Sequence, residues 1–507
     1  MSRISLPFKS CIVFVAVFAF YNTASSQQAK YSYRLTLEEV IDLAHDQSPN
    51  AVQAKHTFRS SYWEFVSYKA NFLPSLVFSG DTPSFSKRIK NIEVTDGSGT
   101  TYVPSSEFSN TIYGRLSINQ NVPFTGGTFS INSDLQRVDR FSGSLGNRES
   151  TSYISNPISV TYKQSLFGVN TFKWDKKIEP IKYEAAKRSY LTDMEGVSIQ
   201  AIRLFFNLAA AQQDLETATF NYHNNDTLHK IANGRYNIGT IGENDLLQSE
   251  LSFMDAHSAL NQAEYDLNSA KNRLRSFLGF NEQVDIEIII PTEVPKVDLS
   301  LGQVLTLAKE NSPNILAYRR RLIEAERAVA EARASRGFQA DLELSFGLNQ
   351  RSEDFSGAYK SPDDMETASI RLSIPILDWG RGKGRVKMAQ SKQELEQARV
   401  QQEEIDFEQD VVLKVQQFNM QDMQFQIAAK ADTVSQLRYD VTKKRYLIDK
   451  VTITDMNNAQ SDRDRSTARF VSELHNYWNY YYTIRQLALF DFIGNKPLDV
   501  DFEELVK

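Results

Sequence analysis

The side chains that could do chemistry in this 507-residue chain are few, and their spacing does not favour catalysis. Six histidines stand at positions 45, 56, 223, 229, 257 and 475. None belongs to a His-Glu-x-x-His segment, which would bring two imidazoles and a general base to one zinc ion. His223 and His229 are six residues apart and fall on different faces of a helix, so they read as solvated side chains. The glycines of DWGRGKGR, Gly380, Gly382 and Gly384, lack the preceding buried strand and the Gly-Lys-Ser/Thr ending of a phosphate loop; they read as a strand-to-helix corner near a membrane face. Tyr477, Trp478, Tyr480, Tyr481 and Tyr482 could stack on a ligand, yet on a long helix packed among others such a run is usually core. No catalytic residue, cofactor site or metal ligand is assigned.

Export is the first property the sequence does indicate. Residues 1–26 combine cationic Arg3 and Lys9, an apolar core from Cys11 to Phe20 and the small residues Ala24, Ser25 and Ser26, the arrangement of a secretory signal peptide. Cys11 is the only cysteine, and Lys9 and Ser10 before it do not form a lipidation signal, so the exported chain has no disulfide and no thiolate metal site. Loss of the two cations takes the formal charge from −6 to −8, which gives no support to nucleic-acid binding. No later stretch approaches 18 consecutive apolar residues. An exported chain of this kind is soluble or spans a membrane as a β-barrel, since only helices and closed barrels satisfy every backbone group in lipid.

The elements repeat. LTLEEVIDLAHDQSPN begins at Leu35 and LSLGQVLTLAKENSPN begins 264 residues later at Leu299, with eight of sixteen positions identical. Each copy reads as a short helix, a Ser-Pro-Asn turn and a longer helix, because serine caps a helix and proline fits its first turn. Period-two runs follow: residues 341–349 and 368–376 in the second half, and Ser75–Phe85, Tyr113–Val122, Thr128–Val138 and Pro157–Leu166 in the first. About nine residues suffice to cross a bilayer as a tilted strand. Polar stretches such as VTDGSGTTYVPSSE and FSGSLGNRES read as long loops, and PFTGG at Pro123 to Gly127 as a tight turn. A soluble sheet with one wet face would alternate in the same way.

Long helices come next. Leu246, Ser249, Phe253, Ala256, Leu260, Ala263, Leu267, Ala270, Leu274 and Phe277 keep alternating spacings of three and four, a heptad seam. Arms of roughly 55–65 residues on each side of turns near Gly239 and Asp449 would reach about 80–100 Å at 1.5 Å per residue. The turns match at an offset of 210, RYNIGTIGENDLL from Arg235 against RYLIDKVTITDMN from Arg445. Thr452, followed three residues later by Asp455, forms a capping-box-like start to the returning helix. Taken alone, these residues need do no more than close helical hairpins.

The signal peptide, the doubled opening segment, the paired strands, the two hairpins with their RYNIGT and RYLIDK tips and the ending YYYTIRQLALFDFIG together resemble the TolC-like outer-membrane efflux protein family, across almost all of the exported chain. The resemblance implies a mainly α fold with transmembrane β. Long antiparallel hairpins would form a periplasmic tunnel, and the strands of a homotrimer would close one barrel in outer-membrane lipid. It implies as partners a periplasmic adaptor and an inner-membrane pump of resistance-nodulation-division or ATP-binding-cassette type, with tips that meet the adaptor and close the tunnel like an iris. The candidate adaptor contacts are Tyr236, Ile238, Gly239, Thr240 and Ile241 in the first tip, and Tyr446, Ile448, Asp449, Lys450, Val451 and Thr452 in the second. Asp455 matches an acidic position that in some relatives rings the aperture, whereas Asn458 stands where a second acid often follows. Phe338 stands where the first half has Pro74, Asp449 replaces a tip glycine, and the strands around PFTGG are an extra pair beyond the family's usual four per chain.

The organisation expected is a signal peptide at 1–26 and a first repeat at 27–278, with helices over 36–72, strands within 75–166 and a hairpin over 172–278 turning near 239. A linker at 279–298 leads to a second repeat at 299–490, with helices over 300–336, the two strands and a hairpin over 383–490 turning near 449; a tail at 491–507 closes the chain. The competing reading is a periplasmic adaptor, which carries a long helical hairpin but normally only one, and no duplicated unit.

Overall fold

The computed structural model describes residues 31–96, 99–141, 148–280, 284–448 and 450–507; the signal-peptide segment and Asp449 lie outside them. Each half opens as its capping chemistry dictates. Thr36 accepts from the Glu39 amide at 3.3 Å while Glu39 accepts from the Thr36 amide at 2.8 Å, a capping box that starts α1 (Leu37–Gln47). Ser48 ends α1 and caps α2 (Pro49–Ala70), its hydroxyl accepting from the Ala51 amide at 3.2 Å. The second copy repeats the turn but not the capping box: Ser300 starts α5 (Leu301–Asn311) without a side-chain cap bond, and Ser312 ends α5 and caps α6 (Pro313–Arg336) by accepting from the Asn314 amide at 3.2 Å. Ser48 and Ser312 are both buried, so the turn is fixed by satisfied polar groups.

Strand β1 (Tyr31–Leu35) precedes α1, and α2 leads into β2 (Ser75–Asp96), β3 (Gly99–Val122), β4 (Gly127–Phe141) and β5 (Arg148–Ser165). Helices α3 (Thr171–Asn237) and α4 (Glu243–Phe277) form the first hairpin, followed by β6 (Val284–Ile288). In the second half α6 leads to β7 (Gln339–Ser352), β8 (Asp363–Ser373), α7 (Arg381–Leu447) and α8 (Ile453–Ala488). One antiparallel sheet holds six strands in the order β2-β3-β4-β5-β7-β8. The extra pair therefore lies inside the sheet, between β2 and β5.

Four expectations change. Residues 94–96 and 99–107 are paired strand and not a long loop, with β2 and β3 paired from Ser75↔Asn119 to Asp96↔Gly99 across one register shift between Asp81 and Ser84. Polar residues fill most of this extension, so it carries no period-two signal. Strand β8 begins at Asp363 and ends at Ser373, before Pro375, which has no N–H to give to a ladder. The hairpin arms are unequal: α3 and α7 each have 67 residues, whereas α4 has 35 and α8 has 36. A 67-residue helix spans about 100 Å, and its barrel-proximal part packs on α2 or α6 and its tip-proximal part on α4 or α8. Finally, the 279–298 segment contains β6, which pairs in parallel with β1 from Tyr31↔Val284 to Leu35↔Ile288.

That ribbon, with α1 and α5, wraps the middle of the long helices and makes the largest core. Val40, Ala201, Ile202, Phe205, Leu208, Leu274, Leu278, Val304, Val411, Leu474 and Ile484 are all fully or almost fully buried there. The α4 seam turns inward as its spacing requires, with Ser249, Ala256, Ala263 and Leu274 buried and Phe253, Leu260, Leu267, Ala270 and Phe277 half-buried. Among the described residues no helix is long and apolar enough to cross a membrane.

Candidate functional site

Strand register gives the sheet two unlike faces. One row runs Leu76↔Ile118↔Ile131↔Val160↔Phe346, and the next runs Phe129↔Tyr162↔Leu344↔Ala368. On the opposite face, cross-strand partners are polar: Arg115 lies 3.4 Å from Asp134, Lys163 is 3.0 Å from Glu343, Thr161 and Ser345 are 3.2 Å apart, and Ser130 donates to Asn119 at 2.8 Å. Outward-facing Leu76, Phe78, Leu116, Phe346, Ile370 and Leu372 are exposed, and packing within one chain cannot account for such a patch. An apolar outer belt around a polar lumen is what a membrane barrel requires.

The helical end of the sheet carries an interfacial rim. Phe124 in the tight turn is 94% exposed and Trp379 is 90% exposed, as suits aromatic side chains at headgroup level. The turn closes through Gly126, whose φ is +82° and whose amide reaches the Val122 carbonyl at 2.9 Å. Phe338 packs edge-on against Phe167 at 4.9 Å, which gives the departure from Pro74 a structural role. The glycine cluster is a corner: Asp378 accepts from the amides of Gly380 at 2.9 Å and Gly382 at 2.7 Å, and Gly380 takes φ +86°. Those hydrogen bonds hold the Asp378 carboxyl below its ordinary range.

At the far end the two tips close in the same way. The Thr240 amide bonds the Arg235 carbonyl at 2.9 Å and the Gly239 amide bonds the Tyr236 carbonyl at 2.9 Å, a Schellman closure with Gly239 at φ +76°. In the second tip the Lys450 amide makes the matching bond to the Arg445 carbonyl at 2.9 Å. Tyr236, Ile238, Gly239, Thr240, Ile448, Lys450 and Thr452 are exposed, and Ile241 is half-buried. Tyr446 and Val451 differ: Tyr446 is 5% exposed and packs with Leu228, Tyr439, Ile453 and Met456, and Val451 rests on that cluster. Their side chains hold the tip together from inside. Arg235, which sequence reasoning treated only as part of a motif, joins the tips. Its guanidinium lies 5.4 Å from the Tyr446 ring and reaches the carbonyls of Tyr446 and Leu447 at 3.4 Å. A Cβ at Gly239 would meet nothing within 4 Å. Gly239→Ala is therefore expected to cost about 1–2 kcal/mol through backbone strain alone, seen as faster amide exchange at Thr240 with the rest of α3 unchanged.

Asp455 completes a capping box. Its carboxylate accepts from the Thr452 hydroxyl at 2.8 Å and amide at 3.0 Å, while the Asp455 amide donates to the Thr452 hydroxyl at 3.1 Å. The hydroxyl bond first, then the amide bond, holds this exposed carboxyl below its usual range, so it is anionic at neutral pH.

Two charged groups missing from the sequence reading lie deep among the helices. Arg463 on α8 is 6% exposed; its guanidinium sits 4.4 Å from the Phe220 ring and 4.5 Å from the Tyr439 ring, and donates to Asn221 at 2.8 Å and Asp464 at 2.6 Å. Glu195 on α3 is 4% exposed and lies 3.2 Å from Arg485, which also stands 3.9 Å from Asp491. Tyr481 donates to Asp491 at 2.6 Å and accepts from the Ile493 amide at 3.0 Å, so the aromatic run is core that ties down the tail.

Burial outweighs the Arg485 attraction and pushes the Glu195 carboxyl up from 4.5 to about 7. Above pH 7 the folded chain must bury this charge, whereas below pH 4.5 both states are protonated. This group is therefore expected to make the fold about 3 kcal/mol more stable below pH 4.5 than above pH 7, the advantage being lost as pH rises between them. Glu195→Gln should remove that slope from urea unfolding compared at pH 5 and pH 8.

The histidines make local contacts. His45 lies 2.8 Å from the Ser198 hydroxyl, His229 lies 3.2 Å from the Ser249 hydroxyl and stacks on Phe253, and His475 stacks on Phe206. Among the described residues no group of three or more His, Cys, Asp or Glu side chains is placed to hold a metal ion.

A sheet with an apolar outer face and a polar inner one, joined to rods about 100 Å long, defines the class of outer-membrane barrel subunit that carries a long helical extension. The outer membrane efflux protein family model matches residues 40–280 and 304–488, and the chain belongs to that family. It is 23% identical over 260 residues to the probable outer membrane lipoprotein SilC of Salmonella typhimurium, covering 50% of this chain and 54% of that one. It is 22% identical over 268 residues to the cation efflux system protein CusC of Escherichia coli K12, covering 50% and 55%. The chain thus spans about half the length of these curated relatives. The fold superposes on the CmeC outer membrane channel of Campylobacter jejuni with a TM-score of 0.63 at 15% identity, covering 98% of each chain. Family membership places the sheet in the outer membrane and the helices in the periplasm, in a family of channels and not of known enzymes; the adaptor alternative finds no support.

Proposed function

We propose that three copies of this chain form the outer-membrane exit duct of a tripartite export system. An inner-membrane pump, of resistance-nodulation-division or ATP-binding-cassette type, passes substrate through a periplasmic adaptor to the tunnel. The observation that carries this reading is a six-stranded sheet with both outer edges open, at β2 and β8, continuous with two rods that end in matched tips. Pairing β8 of one copy with β2 of the next satisfies those edges and closes a barrel of eighteen strands. At similar tilt it is about 1.5 times as wide as a twelve-stranded one, since diameter grows with strand number. The periplasmic part also has a self-complementary side: Leu413, Met420, Ile427, Val434 and Val441 recur every seven residues on the exposed side of α7, and Leu247, Leu251 and Met254 are exposed on α4. Helices of neighbouring copies cover such stripes.

The adaptor docks on the exposed tip residues Tyr236, Ile238, Gly239, Thr240, Ile448, Lys450 and Thr452, with Ile241 at the margin and Asp449, next to Ile448 and Lys450 in the sequence, as a further contact. Tyr446 and Val451 support these contacts from within. Asp455 caps α8, and its three copies would present a ring of anionic carboxylates around the aperture. The test is fractionation together with photo-crosslinking from Ile238, Thr240, Ile448 and Lys450. Heat-resistant trimers in the outer membrane, crosslinked to a periplasmic protein, are expected; release of the chain by osmotic shock would refute the assignment.

A further inference from the structure

The outward face of the sheet does not end with its apolar belt. Strand β4 pairs with β3 without a register break, so Phe129, Ile131, Leu135, Arg137 and Asp139 all project from the same side. Leu135 is the last apolar member of this series before two charged residues, on the side away from the helices. Asp139 is 2% exposed and accepts from the Thr151 hydroxyl at 2.7 Å and from Arg137 at 3.2 Å, while Arg148 approaches it at 3.8 Å. Two guanidiniums thus share one carboxylate, and the cluster keeps a net positive charge while both arginine side chains stay partly exposed. An aromatic wall stands beside them. Arg137 lies 6.0 Å from the Tyr153 ring, Tyr153 packs edge-on against Phe355 at 6.0 Å, and Phe355 packs on Tyr359 at 5.8 Å. Phe355 and Tyr359 are exposed, in a loop whose Ala358 carbonyl is held by the Ser155 hydroxyl.

We propose that this cluster binds the phosphate of an outer-leaflet glycolipid, with Arg137 and Arg148 on the phosphate and the aromatic wall against its sugar or the upper part of its acyl chains. Arginine suits phosphate because its planar fork gives paired, charge-assisted hydrogen bonds. The lipid source follows from place: the belt directly below already requires acyl chains, so the charge lies at headgroup level on the outer side. Asp139, shared by both guanidiniums, offsets their mutual repulsion. The inference rests on the barrel reading above.

The test uses full-length protein in detergent, native mass spectrometry, and bis-phosphorylated lipid A as the probe, with the same lipid dephosphorylated for comparison. The wild type is expected to retain the phosphorylated lipid at least about tenfold better than the dephosphorylated one, the equivalent of about 1.4 kcal/mol. R137Q/R148Q should lose that preference. R148Q alone, at the more exposed residue, should lose about threefold and covers the case in which the double variant fails to assemble. Retention of the lipid by both variants at the wild-type level overturns the proposal, as does complete displacement by inorganic phosphate at equal concentration, which would mark a site for the free anion. A wild-type chain that forms no barrel in vesicles overturns the reading beneath it, and the lipid site with it.

Discussion

Leu344→Arg is expected to abolish accumulation of the protein in the outer membrane, whereas Ser345→Arg, one residue along the same strand, is expected to be tolerated. Leu344 lies on the outward row with Tyr162 and Ala368, near the middle of the apolar stretch of β7. Arginine on the lipid face at that depth costs about 2–4 kcal/mol, and a trimer would incur the cost three times. Ser345 faces the opposite way, 3.2 Å from Thr161 and on the same face as the Lys163–Glu343 pair. A new guanidinium there meets water and a carboxylate. The heat-modifiable trimer band in outer-membrane fractions provides the readout. Equal loss in both variants would mean that neither face meets lipid, and the barrel assignment would fail.

Removal of the Arg463 side chain should have the largest effect in the helical part. Arg463→Ala withdraws a buried cation from over the edge-on rings of Phe220 and Tyr439, leaves the Asn221 side-chain oxygen without its donor and leaves Asp464 with only the bond from the Asn221 amide. Desolvated cation–π contacts and a broken buried charge pair together give an expected loss of about 3 kcal/mol. The loss should appear as faster hydrogen exchange over the tip-proximal parts of α3 and α8, with exchange in the core around Phe205 and Leu474 unchanged. Arg463→Lys should recover little, since an ammonium lacks the planar surface for two rings and the fork for two acceptors. Full recovery by lysine would mean that charge alone holds the site.

Arg463 also shows where sequence reading stops. The residue sits in SDRDRST, among charges that on a helix normally face water. Only the approach of α3 and α7 to α8 brings the rings of Phe220 and Tyr439 under it. Glu195 is similar: nothing in DMEGVS marks a buried acid, and it became one when α8 and the tail carrying Asp491 closed over it. Arg235 was visible as part of a repeated motif, but its role as a link between tips depends on two turns 210 residues apart in the chain meeting in space. The family resemblance places both Tyr236 and Tyr446 among the adaptor contacts, yet the two tips present opposite sides of the same local motif, Tyr236 exposed and Tyr446 buried.

The amino-acid sequence by itself determined the duplicated plan, the Ser-Pro-Asn turns, the heptad seam of α4, the capping box at Thr452 and Asp455 and the outward rows of the shorter strands. Each of these is a local matter of caps, breakers and periodicity, set by residues within one or two turns of one another. Tertiary structure alone decided that the pair of strands around PFTGG sits within the sheet, that the polar hairpin beyond Phe108 is paired, that the hairpin arms are unequal, and that β6 joins β1 across some 250 residues. The physical reason is the same in each case. These outcomes rest on hydrogen bonds and desolvation between segments far apart in the chain, and their energies depend on which surfaces meet rather than on the order in which the residues are written.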